Sequence, residues 1–323
     1  MASAFLISCD WGTSAFRLRL VRAARHPEVV AERSTLDGIL AIQPAGAEGF
    51  ERHLAAEIER LFGAAGLAPE PEPVYLSGMV TSSLGWKELP YGRLPFPLDG
   101  SRTVVAHASL ELPHGRHPLV FISGLRSEDD VLRGEETELI GIFGHPGVQP
   151  FADSCVVILP GTHSKAVVIS GGEIVTFRTY MTGELFSVLG RSSILSRSID
   201  PSVAGDPEDP AFERGVRRGC EEGLIESLFT VRTGPLLADV PPGANARYLS
   251  GMLIGAEAAS ITRRHPAPRP ILVAGGAALQ ALYARAFELV GAGARTHAAP
   301  PEVTGLAAVR GHCILRDRPP GPP

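Results

Sequence analysis

Two short stretches have the residue types and spacing to hold a phosphate chain. Asp10-Trp11-Gly12-Thr13-Ser14 and Pro160-Gly161-Thr162-His163-Ser164 each place a Gly-Thr pair between two strand-like runs. A Gly-Thr turn between antiparallel strands can aim its backbone N–H groups at phosphate oxygens. The glycine permits close backbone approach, and the hydroxyls of Thr13 and Ser14 add donors. Asp10, at the end of its strand, suits a hydrated magnesium ion, because magnesium favours few carboxylates and several waters. A single turn of this composition is equally an ordinary hairpin, where Asp, Gly, Thr and Ser are all common. Two of them in matching contexts argue for a phosphate clamp.

The elements around these turns repeat. Ala4 to Cys9 is an apolar run, Phe16 to Val21 alternates apolar and basic residues, and Glu28 to Arg33 is a third short run. Phe50, Leu54, Ile58, Leu61 and Phe62 then share one face at helical spacing. Val74 to Leu76 and Leu119 to Ile122 read as further strands, each ending at a Ser-Gly. The pattern recurs with Ser154 to Leu159, Lys165 to Ile169 and Glu173 to Arg178, followed by a helix from Gly183. Aligning Gly12-Thr13 with Gly161-Thr162 registers both copies, which predicts an internal duplication with one α/β copy per domain. The boundary is expected near the Gly/Pro-rich stretch Gly144 to Pro150. Downstream, Phe212, Val216, Cys220, Leu224 and Leu228 recur every four residues. Tyr248 to Arg263 reads as a helix broken by Gly251 and Gly255. Ile271 to Ala274 reads as a strand opening into Gly275-Gly276 and a helix through Tyr283 and Phe287. The Pro-rich tail beyond Arg316 is expected to be disordered.

Composition narrows the classes. The 323 residues fit two domains, and 44 % hydrophobic residues can bury a sizeable core. The apolar runs fall short of the ~18 residues needed to span a bilayer. Met1 to Cys9 lacks the basic lead and cleavage site of a signal peptide, so it reads as a first strand. A formal charge of −5 gives no general attraction to nucleic acid or anionic membrane. Cys9, Cys155, Cys220 and Cys313 are scattered, as reduced thiols of a cytoplasmic protein would be. Of 30 basic residues only Lys87 and Lys165 are lysines, which draws attention to both.

The motifs resemble a known family. Asp10 to Ser14 is similar to the first phosphate motif of the actin/hexokinase/sugar-kinase superfamily. Leu159 to Lys165 is similar to the second, in the form found in 2-keto-3-deoxygalactonate kinases. The likeness continues through Gly78-Met79-Val80, Leu84 to Lys87, Asp130 to Thr137, Phe177 to Thr179, Met181 to Leu185 and Leu249 to Glu257. These blocks lie in order along nearly the whole chain and contain both lysines.

The resemblance implies an α/β protein of two ribonuclease-H-like (actin-like ATPase) domains with an interdomain cleft. Residues 1–148 would carry the sugar-acid side and the first phosphate motif. Residues 149–323 would carry the second phosphate motif and the adenosine site. It further implies ATP and Mg2+ as cofactors, Gly275-Gly276 as the adenosine-side glycine pair, and transfer of the γ-phosphate to the terminal hydroxyl of 2-keto-3-deoxygalactonate. The nucleotide contacts would come from Gly12, Thr13, Ser14, Gly161, Thr162, His163, Ser164 and Lys165. Expected partners are a small-molecule sugar acid, with no nucleic acid and no membrane; a homodimer stays open.

An alcohol acceptor calls for a base. The superfamily's second motif often carries an aspartate where this chain has Leu159, so Glu135 and Glu136 become the candidates. Acidic residues just after Gly134 equally suit the first turn of a helix. Arg17, Arg126 and Arg133 could fork onto the substrate carboxylate, or be surface arginines. Met79 and Trp86 could wall its carbon chain, or be core, and Lys87 lies in the same block. Lys165 could neutralise the β/γ-phosphates, or face water at a strand edge. Two departures from the family pattern bear on substrate fit: Ala166 stands where an aromatic is expected, and Glu138 where glutamine is expected.

Three other readings compete. The same fold could phosphorylate another sugar acid, such as 2-keto-3-deoxygluconate. It could be a non-catalytic sugar sensor, although sensors of this fold generally add a DNA-binding module, and here the first strand is expected within a few residues of Met1. Water could also replace the acceptor in phosphoanhydride hydrolysis.

Overall fold

The computed structural model describes residues 4–22, 27–203 and 205–318. The principal elements are β1 (Phe5–Trp11), β2 (Phe16–Arg22), β3 (Glu28–Thr35), α1 (Gly46–Ala65), β4 (Val74–Gly78), β5 (Val105–Leu112), β6 (Gly115–Ile122) and α2 (Glu135–Phe143). There follow β7 (Ser154–Leu159), β8 (Ser164–Ser170), β9 (Glu173–Tyr180), α3 (Thr182–Ser192), α4 (Pro210–Glu221), α5 (Leu224–Ser227), α6 (Thr230–Ala238) and α7 (Pro242–Arg264). The chain ends with β10 (Ile271–Val273), α8 (Ala277–Leu289), β11 (Thr296–Ala298) and α9 (Ala307–Asp317).

The chain forms two compact units. Among the described residues, one holds those up to Gln149 with Gly172–Ile174 and those from Leu306; the other holds those within Pro150–Gly171 and Val175–Gly305. The reading from sequence ran the second part to the C-terminus. The last helix instead packs in the first unit: a Cβ on Gly141 would lie 1.8 Å from Ala307 O, and one on Gly311 2.1 Å from Thr137 O, so α2 and α9 touch backbone to backbone. Val309 and Cys313 of that helix share a buried cluster with Leu6 and Val21. The tail from Pro319 lies outside the described residues.

The two sheets share one topology. In the first unit the order is β3-β2-β1-β4-β6-β5; in the second it runs β11-β10-β7-β8-β9. β1 pairs antiparallel with β2 and parallel with β4, and β7 pairs antiparallel with β8 and parallel with β10. Each copy therefore places the strand before its Gly-Thr turn between an antiparallel hairpin partner and a parallel neighbour. The strands are apolar along their buried positions, with Ile7, Cys9, Trp11, Leu18 and Leu20 at 0 % exposure. The face of α1 packs on the first sheet through Phe50, Leu54, Ile58 and Leu61.

Two helical expectations need correction. Gly251 and Gly255 do not break their helix, which runs unbroken for 23 residues. They let α4 approach: a Cβ there would meet Phe212 O at 2.1 Å and Val216 O at 2.4 Å, and Gly215 and Gly219 reciprocate against Tyr248 O and Met252 O, each at 2.1 Å. The four-residue stripe from Phe212 to Leu228 is not one helix. Gly223 at φ 84° ends α4 and starts α5, a conformation open to glycine at little cost.

Candidate functional site

In the first unit the turn after β1 is closed by Gly12 N–H donating to Ala15 O at 2.9 Å. Trp11 and Phe16 flank it and pack edge to face with ring centroids 4.8 Å apart, while Trp11 Nε1–H donates to Asp37 O at 3.0 Å. Thr13 and Ser14 are exposed at the tip. Gly38 supports the turn from below, since a Cβ there would come within 2.4 Å of Thr13 O.

Asp10 ends up among carboxylates. It pairs in register with Arg17 across the hairpin and with Ser77 of β4. Gly78 (φ 91°) and Gly134 (φ 106°) meet closely, a Cβ on Gly134 falling 3.2 Å from Gly78 Cα. That approach sets the start of α2, with Glu135, Glu136 and Glu138, beside the end of β1. Burial raises the Asp10 carboxyl above its ordinary range, opposed by Arg17 and Arg19 and reinforced by Glu135. Arg17 Nη1–H reaches Asp10 Oδ2 at 3.4 Å. Glu138 is pushed up to about 8 by burial and then by the charges of Asp10, Glu135 and Glu136. A cluster of carboxylates that repel one another suits a divalent cation, which would relieve the repulsion. Among the described residues, though, no group of three or more His, Cys, Asp or Glu side chains is arranged to hold a metal ion.

The two candidate bases separate. Glu136 is fully buried; it accepts from Gly134 N–H at 2.8 Å and from Thr137 Oγ1–H at 3.0 Å, and burial lifts it to about 8. It caps its own helix from inside. Glu135 is only half-buried and accepts from Arg133 N–H at 2.8 Å. Glu138 was read from sequence only as a departure from the family pattern; Glu135 and Glu136 precede it on its own helix, but Asp10, the foremost of the charges acting on it, is brought in by β1.

The proposed sugar-acid residues also sort themselves. The Arg133 guanidinium is committed to the protein, donating to Thr81 O, to Thr81 Oγ1 at 2.8 Å and to Leu89 O at 3.4 Å, over the Tyr91 ring at 4.1 Å. It fastens the loop after β4, and its assignment to the substrate carboxylate is revised accordingly. Arg17 is tied loosely to Asp10, and Arg126 is exposed on the short strand Leu125–Arg126. Trp86 stacks on Phe50 at 6.3 Å and meets Phe121 edge to face at 5.2 Å, so much of its ring is core. Met79 is half-buried at the head of a short helical turn. Lys87 donates to His107 O at 3.4 Å and lies 5.7 Å over the Phe121 ring.

In the second unit Gly161, Thr162 and His163 are exposed at the turn. Gly183 lies beneath it, where a Cβ would be 2.5 Å from Gly161 O, and Glu184 N–H donates to Thr162 O at 2.9 Å. His163 Nε2 bonds the Glu184 carboxylate. Lys165 is 5 % exposed and donates to His163 O at 3.0 Å, so it is not a lysine facing water. Ser164 corrects the reading from sequence: it is fully buried, and its hydroxyl donates inward to Glu257 Oε1 at 2.6 Å rather than outward from the turn. Glu257 also accepts from Thr182 Oγ1–H and, at 2.7 Å, from Tyr283 O–H. Gly275 packs against Pro160, with a Cβ 3.0 Å from Pro160 Cδ, and Gly276 caps α8 with open space around it. An apolar cavity of about 200 Å3 lies alongside, bounded by Gly161, Gly183, Phe186, Leu253, Leu279 and Tyr283. The glycine pair opens α8 next to this cavity without lining it.

Duplicated sheets of this topology, each with a Gly-Thr turn after its first strand, define the class of actin-like ATPases and sugar kinases. The chain belongs to the 2-keto-3-deoxy-galactonokinase family, whose model matches residues 10–309. It is 33 % identical over 311 residues to a Rhizobium meliloti (strain 1021) protein named as a probable 2-dehydro-3-deoxygalactonokinase, DgoK1, covering 94 % of this chain and 96 % of that one. It is 34 % identical over 227 residues to the 2-dehydro-3-deoxygalactonokinase of Escherichia coli (strain K12), covering 69 % of this chain and 72 % of that one. A crystal structure of a Sinorhizobium meliloti protein described as a 2-dehydro-3-deoxygalactonokinase superposes with a TM-score of 0.77 at 30 % identity, covering 96 % of this chain and 99 % of the other. Among the described residues no helix is long and apolar enough to cross a membrane.

Proposed function

We propose that this chain transfers the γ-phosphoryl group of ATP to the terminal hydroxyl of 2-dehydro-3-deoxy-D-galactonate, giving the 6-phosphate. The observation that carries the reading is family membership across residues 10–309, a span that includes both Gly-Thr turns. Beyond Gly12 N–H, which closes its own turn, the backbone N–H groups of the exposed turns bind phosphate oxygens, and Thr13, Ser14 and Thr162 add hydroxyl donors. Lys165 places positive charge at the base of the second turn, and the cavity beside that turn takes the adenosine. Magnesium, when bound, would neutralise charge on the phosphates, and Asp10 is the residue that would hold it through water, as a single carboxylate suits a largely hydrated ion. Glu135 takes the proton of the acceptor hydroxyl as the oxygen–phosphorus bond forms; of the two candidates it is the one whose carboxylate is not sealed in the core. Arg17 and Arg126 remain the groups for the substrate carboxylate. The four unpaired cysteines fit a reducing cytoplasm.

The test is a coupled assay of magnesium-dependent ATP turnover across a panel of 2-keto-3-deoxy sugar acids. Turnover should be strongest with the galactonate. Stimulation by the gluconate epimer alone would reassign the substrate, and equal turnover with no acceptor would mark a hydrolase.

A further inference from the structure

Glu257 belongs to no step of the reaction above, yet it gathers three elements around the second turn. It is 3 % exposed, in the C-terminal half of α7, and its partners are three hydroxyls: Ser164 at the start of β8, Thr182 just before Gly183, and Tyr283 of α8. Ser164 directly follows the exposed turn. Gly183 carries the turn on its backbone. Tyr283 lines the apolar cavity. Turn, supporting helix and cavity wall thus converge on one carboxylate.

We propose that Glu257 is a positioning residue for nucleotide: it locks the second Gly-Thr turn to the wall of the adjoining cavity, so that phosphate donors and base pocket are held in one geometry before nucleotide arrives. The inference rests on the reading of that turn and cavity as the nucleotide site.

Hydrogen-bond inventory supports a locking role over simple filling of space. An ionised carboxylate only accepts, and it has lone pairs for all three O–H donors at once. Each hydroxyl therefore points at Glu257, which fixes three side chains on three separate elements. A glutamine at this position offers one acceptor oxygen and an NH2 that must itself find acceptors, so at least one hydroxyl has to turn away. Burial, the larger effect, raises the Glu257 carboxyl above its ordinary range, and the three hydroxyls oppose that rise. Truncating any one of them weakens the hold on the others.

The experiment is ADP binding by calorimetry on the full chain, for wild type, Glu257→Gln and Tyr283→Phe, with thermal melting of each and KM for both substrates. Glu257→Gln should weaken ADP by about tenfold or more, as expected for losing a hydrogen bond to a charged group. It should raise the KM for ATP in step and leave the sugar-acid KM unchanged. Tyr283→Phe keeps the cavity wall and removes one donor; it should melt near wild type and show a smaller loss in the same direction. Wild-type ADP affinity in folded Glu257→Gln, or a loss of melting temperature with affinity intact, would overturn the proposal and make Glu257 a core residue only. If Glu257→Gln does not fold, Tyr283→Phe decides alone by the same criterion. A wild type that binds ADP but phosphorylates no sugar acid would refute the kinase reading and leave this proposal testable. A wild type that binds no ADP would refute both.

Discussion

Gly183 occupies beneath the second Gly-Thr turn the place that Gly38 occupies beneath the first. A Cβ would strike Gly161 O at 2.5 Å in one case and Thr13 O at 2.4 Å in the other, backbone atoms that cannot step aside cheaply. The duplication therefore reaches past the turns to the support under each. Alanine at either glycine should shift the turn above it. Gly183→Ala should weaken ADP at least tenfold, because misplacing binding groups by about an ångström can cost on the order of 100-fold. Nucleotide titration of the folded variant checks this; unchanged affinity would show that the turn tolerates the shift.

Asp10→Asn should keep the fold and lower kcat by about 100-fold or more, since the proposed interaction with magnesium water strengthens as transition-state charge develops. The asparagine also removes one charge from a crowded cluster, so its melting temperature should not fall. A kcat equal to wild type at saturating magnesium would remove Asp10 from the mechanism.

The base assignment makes a three-way contrast. Glu135→Gln should cut turnover by ~10²–10⁴-fold with ADP affinity nearly intact, the range expected for general-base assistance. Glu136→Gln should act mainly on stability, because that carboxylate is sealed inside and caps Gly134. His163→Gln should have a modest effect, since the imidazole is held by Glu184 and donates to it. If turnover collapses only in His163→Gln, the histidine is the base.

Glu136 and Glu138, both raised to about 8, give a signed pH dependence. Their folded values lie above the unfolded ones, so the native state holds extra protons between those limits. Stability from these groups is complete below the unfolded value and is lost as pH rises through about 8. His312 runs the other way: burial lowers it to about 3, so its contribution is complete above its unfolded value, near 6.5, and is lost only in acid. From pH ~6.5 to ~8.5 the glutamates dominate, and the ligand-free protein should melt lower as pH rises. Glu138→Gln should flatten that slope and raise the melting temperature at pH 8. Chelator-treated samples followed by calorimetry test it; a steeper slope in the variant would show that Glu138 is not the group responsible.

Truncation after Gly305 should abolish folding of the first unit while sparing the second. His312 Nδ1 lies 2.8 Å from Ser8 Oγ and Nε2 3.1 Å from Ser77 Oγ, tying β1 to β4 next to Asp10. Losing α9 would strand both buried serines and expose Leu6 and Val21. Limited proteolysis that leaves a resistant first unit in the truncated chain would contradict this.

Local pattern determined much of this protein. Apolar runs marked β1 and the first strand of the second sheet, alternation marked β2, helical spacing marked α1, and two Gly-Thr turns marked the duplication, because side-chain periodicity and turn chemistry are short-range properties of the chain. Serial motifs identified the family for the same reason. What only the tertiary structure decided depends on residues far apart in sequence. Ser164 turns inward because Glu257, 93 positions on, accepts its hydroxyl. Arg133 is a fastener because Thr81 and Leu89 lie across a loop from it. Glu138 joins Asp10 only because Gly78 and Gly134 let two backbones meet, and the last helix sits in the first unit because Gly141 and Gly311 do the same. A glycine in a sequence announces freedom or a break; the partner that needs its missing side chain appears only once the chain has folded back on itself.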